Sequence, residues 1–238
     1  MQFNQPLQPG ILLRRYKRFL ADIRLENNND VTVHCPNSGA MLRCSEPGSR
    51  VMLSRSDNPK RKYPQTLEMV RDGTVWVGVN TALTNALVRE ALENGVLIKE
   101  FGRLDTITQE IKTSDNTRLD FLLEQQGKKI FMEVKNCSLA ENGVAMFPDA
   151  VTARGTKHLR ELAALRQQGN MAVVLFCVQR GDADCFKPAA HIDPLYAQTL
   201  AKVAADGVVV LAYQADVSPK EIQIARKLPV NIGCGRRS

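Results

Sequence analysis

The sequence has no apolar run long enough to cross a membrane. Its longest apolar run, residues 171–178, has eight residues, whereas a transmembrane helix needs about 20. The first ten residues lack the apolar core and the early positive charges of a secretion signal, so we expect no such signal. From these absences we expect no membrane partner and a cytoplasmic location.

Cysteine patterns typical of metal or redox sites are also missing. The six cysteines form no C-x-x-C pair and no metal-ligand spacing. Cys137 and Cys177 lie in or beside apolar segments, which predicts buried thiols in a reduced protein. Zinc-finger and helix-turn-helix patterns are absent too, so nonspecific nucleic-acid binding is expected before promoter-specific binding.

Positive charge is concentrated in the N-terminal third of the 238 residues. The net formal charge is +7, and residues 1–80 carry 12 Lys or Arg against 7 Asp or Glu, while the other residues carry 20 against 18. A basic N-terminal third favours a polyanionic partner, and nucleic acid more than a membrane surface.

Short apolar segments alternate with turn-forming strings over residues 10–80. The segments lie at residues 12–13, 19–25, 31–34, 51–53, 67–70 and 75–79. Strings such as N-N-N-D (27–30) and P-N-S-G (36–39) separate them and favour turns. Several strands at such close spacing predict a small barrel, with an OB-like fold as the first choice.

Two basic clusters decorate this predicted barrel, and each contains a tyrosine. Basic residues with an interleaved aromatic are typical of a groove that follows phosphates and stacks a base. The alternative is a solvated strand and loop whose tyrosines pack by their rings. The clusters are Arg14, Arg15, Lys17 and Arg18 beside Tyr16, and Lys60, Arg61 and Lys62 beside Tyr63.

After residue 80 the predicted elements are a helix, three strands, a helix, a strand, a helix and a strand. They cover residues 81–94, 106–112, the hairpin 118–135, 152–168, 171–178, 193–205 and 207–213, with a short helix from Ser218. This αβββαβ order is the skeleton of restriction-endonuclease-like nucleases. The sequence therefore predicts a mixed α/β (α+β) chain with an OB-like barrel at 1–80 and a nuclease-like domain at 81–238.

Three charged residues are expected to meet at one end of the 118–135 hairpin. Asp120 begins its first strand, Glu133 and Lys135 end its second, and these positions are neighbours in an antiparallel pair. Two carboxylates repel by roughly 4 kcal/mol at about 4 Å in an effective dielectric near 20. Mg²⁺ or Mn²⁺, which prefer oxygen ligands, would remove that conflict. The alternative is an ordinary Glu–Lys surface pair beside a solvated aspartate.

Further charged residues extend this predicted site. Glu110, near the end of the preceding strand, could supply a third carboxylate, and Glu90 on the preceding helix is another candidate. Arg154, Lys157 and His158 share one face of the 152–168 helix. For His158 the alternative is a histidine satisfied within the core.

Residues Glu110, Asp120 and Glu133 to Lys135, in this order of elements, resemble the PD-(D/E)xK nuclease superfamily, although Leu119 replaces the proline before the aspartate. From residue 12 to about residue 229 the chain also resembles the sugar fermentation stimulation protein A family. The strings that carry this resemblance are H-C-P-N-S-G-A-M (34–41), D-N-P-K-R-K-Y (57–63), F-P-D-A (147–150) and R-G-T-K-H-L-R-E-L (154–162).

The resemblance implies an OB-like barrel, a nuclease-like domain, DNA binding with little sequence preference and a link to bacterial maltose use. It implies that Asp120, Glu133 and the Val134 carbonyl bind Mg²⁺ or Mn²⁺, that Lys135 positions the attacking water and that Glu110 binds a second metal or orients the water. A phosphate that flanks the scissile bond would be held by the helix face that carries Arg154, Lys157 and His158. Three functions stay open: a metal-dependent nuclease, a non-enzymatic DNA-binding regulator and an RNA-processing protein.

Overall fold

The structure, a computed structural model, describes residues 1–114 and 117–233. Residues 115–116, which lie between the predicted strand 106–112 and the hairpin 118–135, and Cys234 lie outside the described residues. Within the described ranges no helix is long and apolar enough to span a membrane. Cys137 and Cys177 are fully buried, which confirms the prediction made for these two thiols.

Five N-terminal strands close into a barrel, and a sixth forms a hairpin with the fifth. They are β1 (Gln8–Tyr16), β2 (Leu20–Leu25), β3 (Asp30–His34), β4 (Arg50–Arg55), β5 (Gln65–Asp72) and β6 (Val75–Gly78). The strand order is β3-β2-β1-β4-β5-β6, and a β3–β5 pairing between His34 and Thr66 closes the ring. Alternate residues such as Leu12, Ile23 and Leu67 fill the interior. The predicted OB-like barrel is confirmed.

The rest of the chain is built around a second six-stranded sheet of order β15-β14-β12-β9-β8-β7, and β10, β11 and β13 form a small separate sheet. The elements are α1 (Thr84–Glu93), α2 (Ile98–Phe101), β7 (Thr106–Ser114), β8 (Thr117–Gln125), β9 (Lys128–Cys137), β10 (Leu139–Glu141), β11 (Val144–Phe147), α3 (Ala153–Gln167), β12 (Met171–Val178), β13 (Cys185–Pro188), α4 (Pro194–Ala205), β14 (Val209–Val217) and β15 (Ile222–Leu228).

Helices cover both faces of this sheet, which explains why β12 is apolar throughout. Val173 and Leu175 pack in the core that includes α1. Val174 and Phe176 point to the opposite face and pack in the core that includes α3 and α4. The mixed α/β architecture predicted from the order of helices and strands is therefore confirmed.

The predicted short helix from Ser218 is wrong, because that segment is a turn leading into β15. The Ser218 hydroxyl accepts hydrogen bonds from the backbone N–H groups of Lys220 and Glu221, which forms a tight turn. Ile222 and Ile224 then alternate inward along a strand antiparallel to β14. A further strand, β13, lies between the predicted strand 171–178 and the predicted helix 193–205.

The barrel is docked against the C-terminal sheet by polar contacts. The Asp149 carboxylate accepts a hydrogen bond from the Met41 N–H at 2.8 Å, and a Cβ at Gly39 would lie only 2.7 Å from the same carboxylate. On another side, Arg180 is 2% exposed and donates to Asp72 of β5 at 3.0 Å and to Asp182 at 2.6 Å. These contacts fix one domain against the other.

We expect Arg180→Ala to lower the free energy of unfolding by about 3 kcal/mol. Removing one partner of a buried ion pair costs about 3–5 kcal/mol. We expect the low end of this range because Asp72 still pairs with Arg43 in the variant. Urea denaturation measures the change. The matched control is Arg24→Ala, whose exposed pair with Asp30 should contribute under about 1 kcal/mol. Equal losses in the two variants would contradict the role given to Arg180.

Candidate metal and nucleic-acid site

The site lies where the hydrogen-bonded ladder between β8 and β9 ends. The last paired residues are Phe121 and Met132. Beyond them, Asp120 Oδ2 accepts the N–H of Val134 at 2.8 Å, so a side chain replaces the missing ladder bond. Asn85 of α1 donates to Asp120 Oδ1 at 2.8 Å. The Asp120 carboxylate is thus fixed from both a strand and a helix.

Glu133 is buried, with 3% of its surface exposed, and its two oxygens have different surroundings. Oε1 contacts both Lys135 Nζ and His158 Nδ1. Oε2 is buried and has no hydrogen-bond partner within residues 1–114 and 117–233. A buried carboxylate oxygen without a partner is costly unless a cation or water completes it.

The two carboxylates affect each other electrostatically. Burial raises the pKa of Asp120, and the charge of Glu133 raises it further. Burial also acts to raise the pKa of Glu133, but the hydrogen bond from His158 and the charge of Lys135 outweigh it, so this pKa is lowered. The site therefore keeps Glu133 ionised and resists a second negative charge on Asp120.

The oxygens of this pair suit a hard divalent cation, but they do not form a complete ligand shell. The described residues contain no group of three or more His, Cys, Asp or Glu side chains that could hold a metal ion. A cation here would therefore need backbone carbonyls and retained water besides the carboxylates, which is common for Mg²⁺.

The structure does not bring Glu110 or Glu90 into the site. Glu110 has a positive φ of 57°, unusual within a strand. Its side chain is 72% exposed and pairs with Arg118 at 3.2 Å. The backbone turn thus directs the carboxylate to solvent, although its neighbours are in register with β8. Glu90 pairs instead with the amino group of Met1 at 2.7 Å.

The three basic residues predicted on α3 separate into two groups. Arg154 and Lys157 are exposed and border a cavity of about 730 Å³. Lys112 and Arg118 line the same cavity. His158 reaches the same cavity, but it is buried because it lies on the side of α3 that packs on the sheet. It contacts Glu133 rather than sharing the exposed face. The helical spacing places these residues close together without specifying which of them faces inward.

The two basic clusters of the barrel lie at one of its ends. His34, at the end of β3, pairs with Leu20 at the start of β2 and with Thr66 near the start of β5. The β1–β2 turn therefore lies near the loop 56–64. The exposed basic residues in these two segments are Lys17, Arg18, Lys60, Arg61 and Lys62. Lys62 Nζ lies 5.4 Å from the centre of the Tyr63 ring.

Arg14 and Arg15 have local partners in this end of the barrel. Arg14 pairs with Asp22 at 2.7 Å. Arg15 donates to the carbonyl oxygens of Asn37 and Gly39 at 2.7 and 2.9 Å, so it holds the loop after β3. Both arginines therefore contribute to the barrel itself, and the outermost charges are those of the turn and the loop.

A second cavity, of about 450 Å³, lies between the barrel and the C-terminal domain. Arg18 and Ser38 line it from the barrel, while Lys135 and Asn136 line it from β9. His158 borders the basic cavity, Lys135 borders this one, and both contact Glu133. The carboxylate pair is therefore placed between two cavities.

Sequence reasoning missed two residues that shape the site. Asn85 holds Asp120, and its only sequence signal is a polar residue in the first turn of a helix. Asn136 lines the inter-domain cavity, and Gln179 donates to its Oδ1 at 2.5 Å. No local pattern predicts that contact, because it joins β9 to the residue that follows β12, far apart in the chain.

We expect His158 and Glu133 to be strongly coupled in stability. A double-mutant cycle of His158→Ala and Glu133→Gln, measured by urea denaturation with EDTA, should give a coupling energy of about 1–3 kcal/mol. The control cycle of Arg118→Ala and Glu110→Gln, an exposed pair, should give under about 1 kcal/mol. Additive effects at the first pair would contradict the contact.

Comparisons with known proteins place this chain in a family. The family model described as "Sugar fermentation stimulation protein RE domain" matches residues 82–221, and that of the "SfsA N-terminal OB domain" matches residues 13–79. Homologues of the sugar fermentation stimulation protein from Desulfotalea psychrophila and Geobacter sulfurreducens are 54% and 50% identical. They cover 97% and 98% of this chain, and the matches span 94% and 100% of those proteins.

A solved structure is similar as well. It is that of Pyrococcus furiosus SfsA in complex with Ca²⁺, with a TM-score of 0.88, 27% identity and 97% of each chain covered. Together the two family models and the full-length homologues show that the chain belongs to the sugar fermentation stimulation protein (SfsA) family.

Proposed function

We propose that the protein is a divalent-metal-dependent phosphodiesterase that acts on nucleic acid, with DNA as the first candidate. The observation that carries this proposal is the buried Oε2 of Glu133, which lies beside Asp120 and has no hydrogen-bond partner among the described residues. A carboxylate pair of this kind is stabilised by a cation. The Ca²⁺ in the structure of the Pyrococcus furiosus relative supports a divalent-metal site in this chain.

The residues of the site have separate roles in this proposal. Asp120 and Glu133, with the Val134 carbonyl, would hold Mg²⁺ or Mn²⁺. When bound, the cation supplies Lewis-acid stabilisation of charge on the phosphate and favours ionisation of water. Lys135 orients the attacking water and balances negative charge that develops at the phosphate. His158 holds Glu133 Oε1, which leaves Oε2 for the cation.

The charges around the site favour a polyanionic substrate. Arg118, Arg154 and Lys157 border the cavity next to His158, where they would hold phosphates that flank the reacting one. Arg18 lines the other cavity from the barrel side. A strand that crosses between the cavities would therefore meet positive charge on each side of the carboxylates.

A second candidate is a non-enzymatic DNA-binding regulator on a nuclease-like fold. It is favoured by the contacts of Lys135 and His158 with Glu133, because they balance the glutamate charge without a metal. The exposed basic residues Lys17, Lys60 and Lys62 would then provide affinity. The RNA-processing function is a variant of either candidate, in which the strand is RNA.

We expect cleavage of supercoiled plasmid, single-stranded DNA or RNA in the presence of Mg²⁺ or Mn²⁺. Glu133→Ala should abolish metal uptake in calorimetry and lower cleavage at least 100-fold, since it removes a ligand. Lys135→Ala should lower cleavage by a similar factor, about 10²–10³, while metal uptake persists.

The matched control for these variants is Glu93→Gln, which removes an exposed carboxylate that pairs only locally with Arg89. It should leave metal uptake and cleavage unchanged. Tight nucleic-acid binding with neither metal uptake nor cleavage would overturn the nuclease proposal and favour the regulator.

We expect Glu110→Gln to leave the affinity for Mn²⁺ within twofold of the wild-type value. The reason is that its carboxylate faces solvent and pairs with Arg118 rather than with the carboxylate pair. Calorimetric titration of the metal-free protein measures this affinity, with Asp120→Asn as the variant that should lose it. A large loss in Glu110→Gln would show that β7 rearranges to provide a third carboxylate.

A further inference from the structure

The inter-domain cavity has walls of two chemical kinds. Ser38 of the barrel, Thr81 in the segment before α1 and Asn136 of β9 give it polar groups, while Met146 and Pro148 give it apolar surface. Its volume of about 450 Å³ lies within the range of about 300–1,000 Å³ typical of small-molecule sites. Apolar surface together with hydrogen-bonding groups suits a nucleobase, which is recognised by packing on its faces and bonds to its edges.

The polar groups of the cavity are only partly used within the protein. Asn136 Oδ1 accepts from Gln179 at 2.5 Å and from Thr84 at 3.3 Å, so the NH₂ of Asn136 is the part of this side chain left to donate to a ligand. Ser38 is exposed at the barrel wall. The cavity therefore offers the NH₂ of Asn136 as a donor on the β9 side, and the hydroxyl of Ser38 as a donor or acceptor on the barrel side.

The cavity is also in the right place for a unit of a nucleic-acid strand. Lys135 lines it and contacts Glu133, so a nucleotide inside would have its phosphate next to the carboxylate pair. Beyond Glu133 lies the basic cavity with Arg118 and Arg154, which suits the next phosphate. Base, reacting phosphate and flanking phosphate thus each have a matching environment in adjoining parts of the site.

The turn between β1 and β2, which borders the cavity through Arg18, carries an exposed aromatic side chain. Arg18 lines the cavity, and Phe19, the next residue, is 54% exposed. An exposed phenylalanine beside an arginine is typical of surfaces on which bases of single strands stack.

We propose that the inter-domain cavity binds one unpaired nucleotide, so that the substrate is a single strand or the unpaired end of a duplex. This inference rests on the proposed function, because it places the nucleotide next to the reacting phosphate. A base within a duplex is stacked on both faces and paired at its edge. It must be flipped out to enter the cavity, at a cost of a few kcal/mol that an unpaired base does not have.

The test compares nucleic acids of equal sequence and different strandedness. Fluorescence anisotropy of the full-length protein with Ca²⁺ measures affinity for labelled single-stranded DNA, single-stranded RNA and blunt duplex DNA. We expect single strands to bind at least tenfold more tightly than the duplex. The DNA and RNA arms show which sugar the cavity accepts.

Ser38→Trp fills the cavity from an exposed position, without touching the carboxylate pair. It should weaken single-strand binding at least tenfold and leave duplex binding within twofold. The matched control is Ser45→Trp, the same change in the same barrel outside the cavity lining, which should alter neither affinity. A second variant, Phe19→Ala, should weaken single-strand binding several-fold, and Phe19→Tyr should restore it.

The outcomes separate this proposal from the nuclease itself. Equal affinity for duplex and single strand, with Ser38→Trp and Phe19→Ala both silent, overturns the cavity proposal even if the protein cleaves DNA. Selective loss of single-strand binding in Ser38→Trp, without metal uptake or cleavage by the wild type, supports the cavity and overturns the nuclease. Absence of binding to every strand overturns both.

Discussion

The buried charge of Glu133 is the constraint around which the C-terminal domain is arranged. An ionised carboxylate at 3% exposure needs partners, and they come from two different elements, Lys135 on the same strand and His158 on α3. The position of α3 against the sheet is therefore tied to this charge. Asp120 is tied in the same way to β9 through the Val134 N–H and to α1 through Asn85.

The barrel completes this arrangement by providing one wall of the site. Asp149 binds the Met41 N–H, and its carboxylate leaves no room for a side chain at Gly39, so the loop after β3 lies directly against the C-terminal domain. Arg15 holds the same loop from within the barrel. As a result Ser38 faces the cavity that Lys135 borders, and the two domains share one cleft.

Local periodicity and turn chemistry were sufficient to predict the barrel, the hairpin and the order of most elements. The closeness of Asp120 to Glu133 followed from antiparallel geometry alone. The third carboxylate could not be predicted, because register places Glu110 opposite Asp120 while its positive φ turns the side chain away. A positive φ at a glutamate cannot be predicted from the residue type, because glutamate has no preference for this conformation.

Burial and long-range contacts account for the other differences. Which face of α3 turns inward depends on how it packs on the sheet, so helical spacing grouped His158 with Arg154 and Lys157. Arg15 looked like a phosphate-binding residue because its carbonyl partners lie in a loop more than 20 residues later. The sequence predicts a helix from Ser218, where the structure has a turn and then β15, because Ser218 and Pro219 are typical of a helix start as well as of a turn.

The arrangement around Glu133 also bears on whether the site is still in use. Replacing a buried charged group by well-packed neutral side chains is often neutral or stabilising. A protein that needed only the fold would therefore gain nothing from keeping two neighbouring carboxylates, one of them with an oxygen that no described residue contacts by a hydrogen bond. His158 and Lys135 lower the cost of the Glu133 charge without occupying Oε2. In the proposed nuclease, such an arrangement would keep the site intact before a cation binds and would leave one oxygen to bind it.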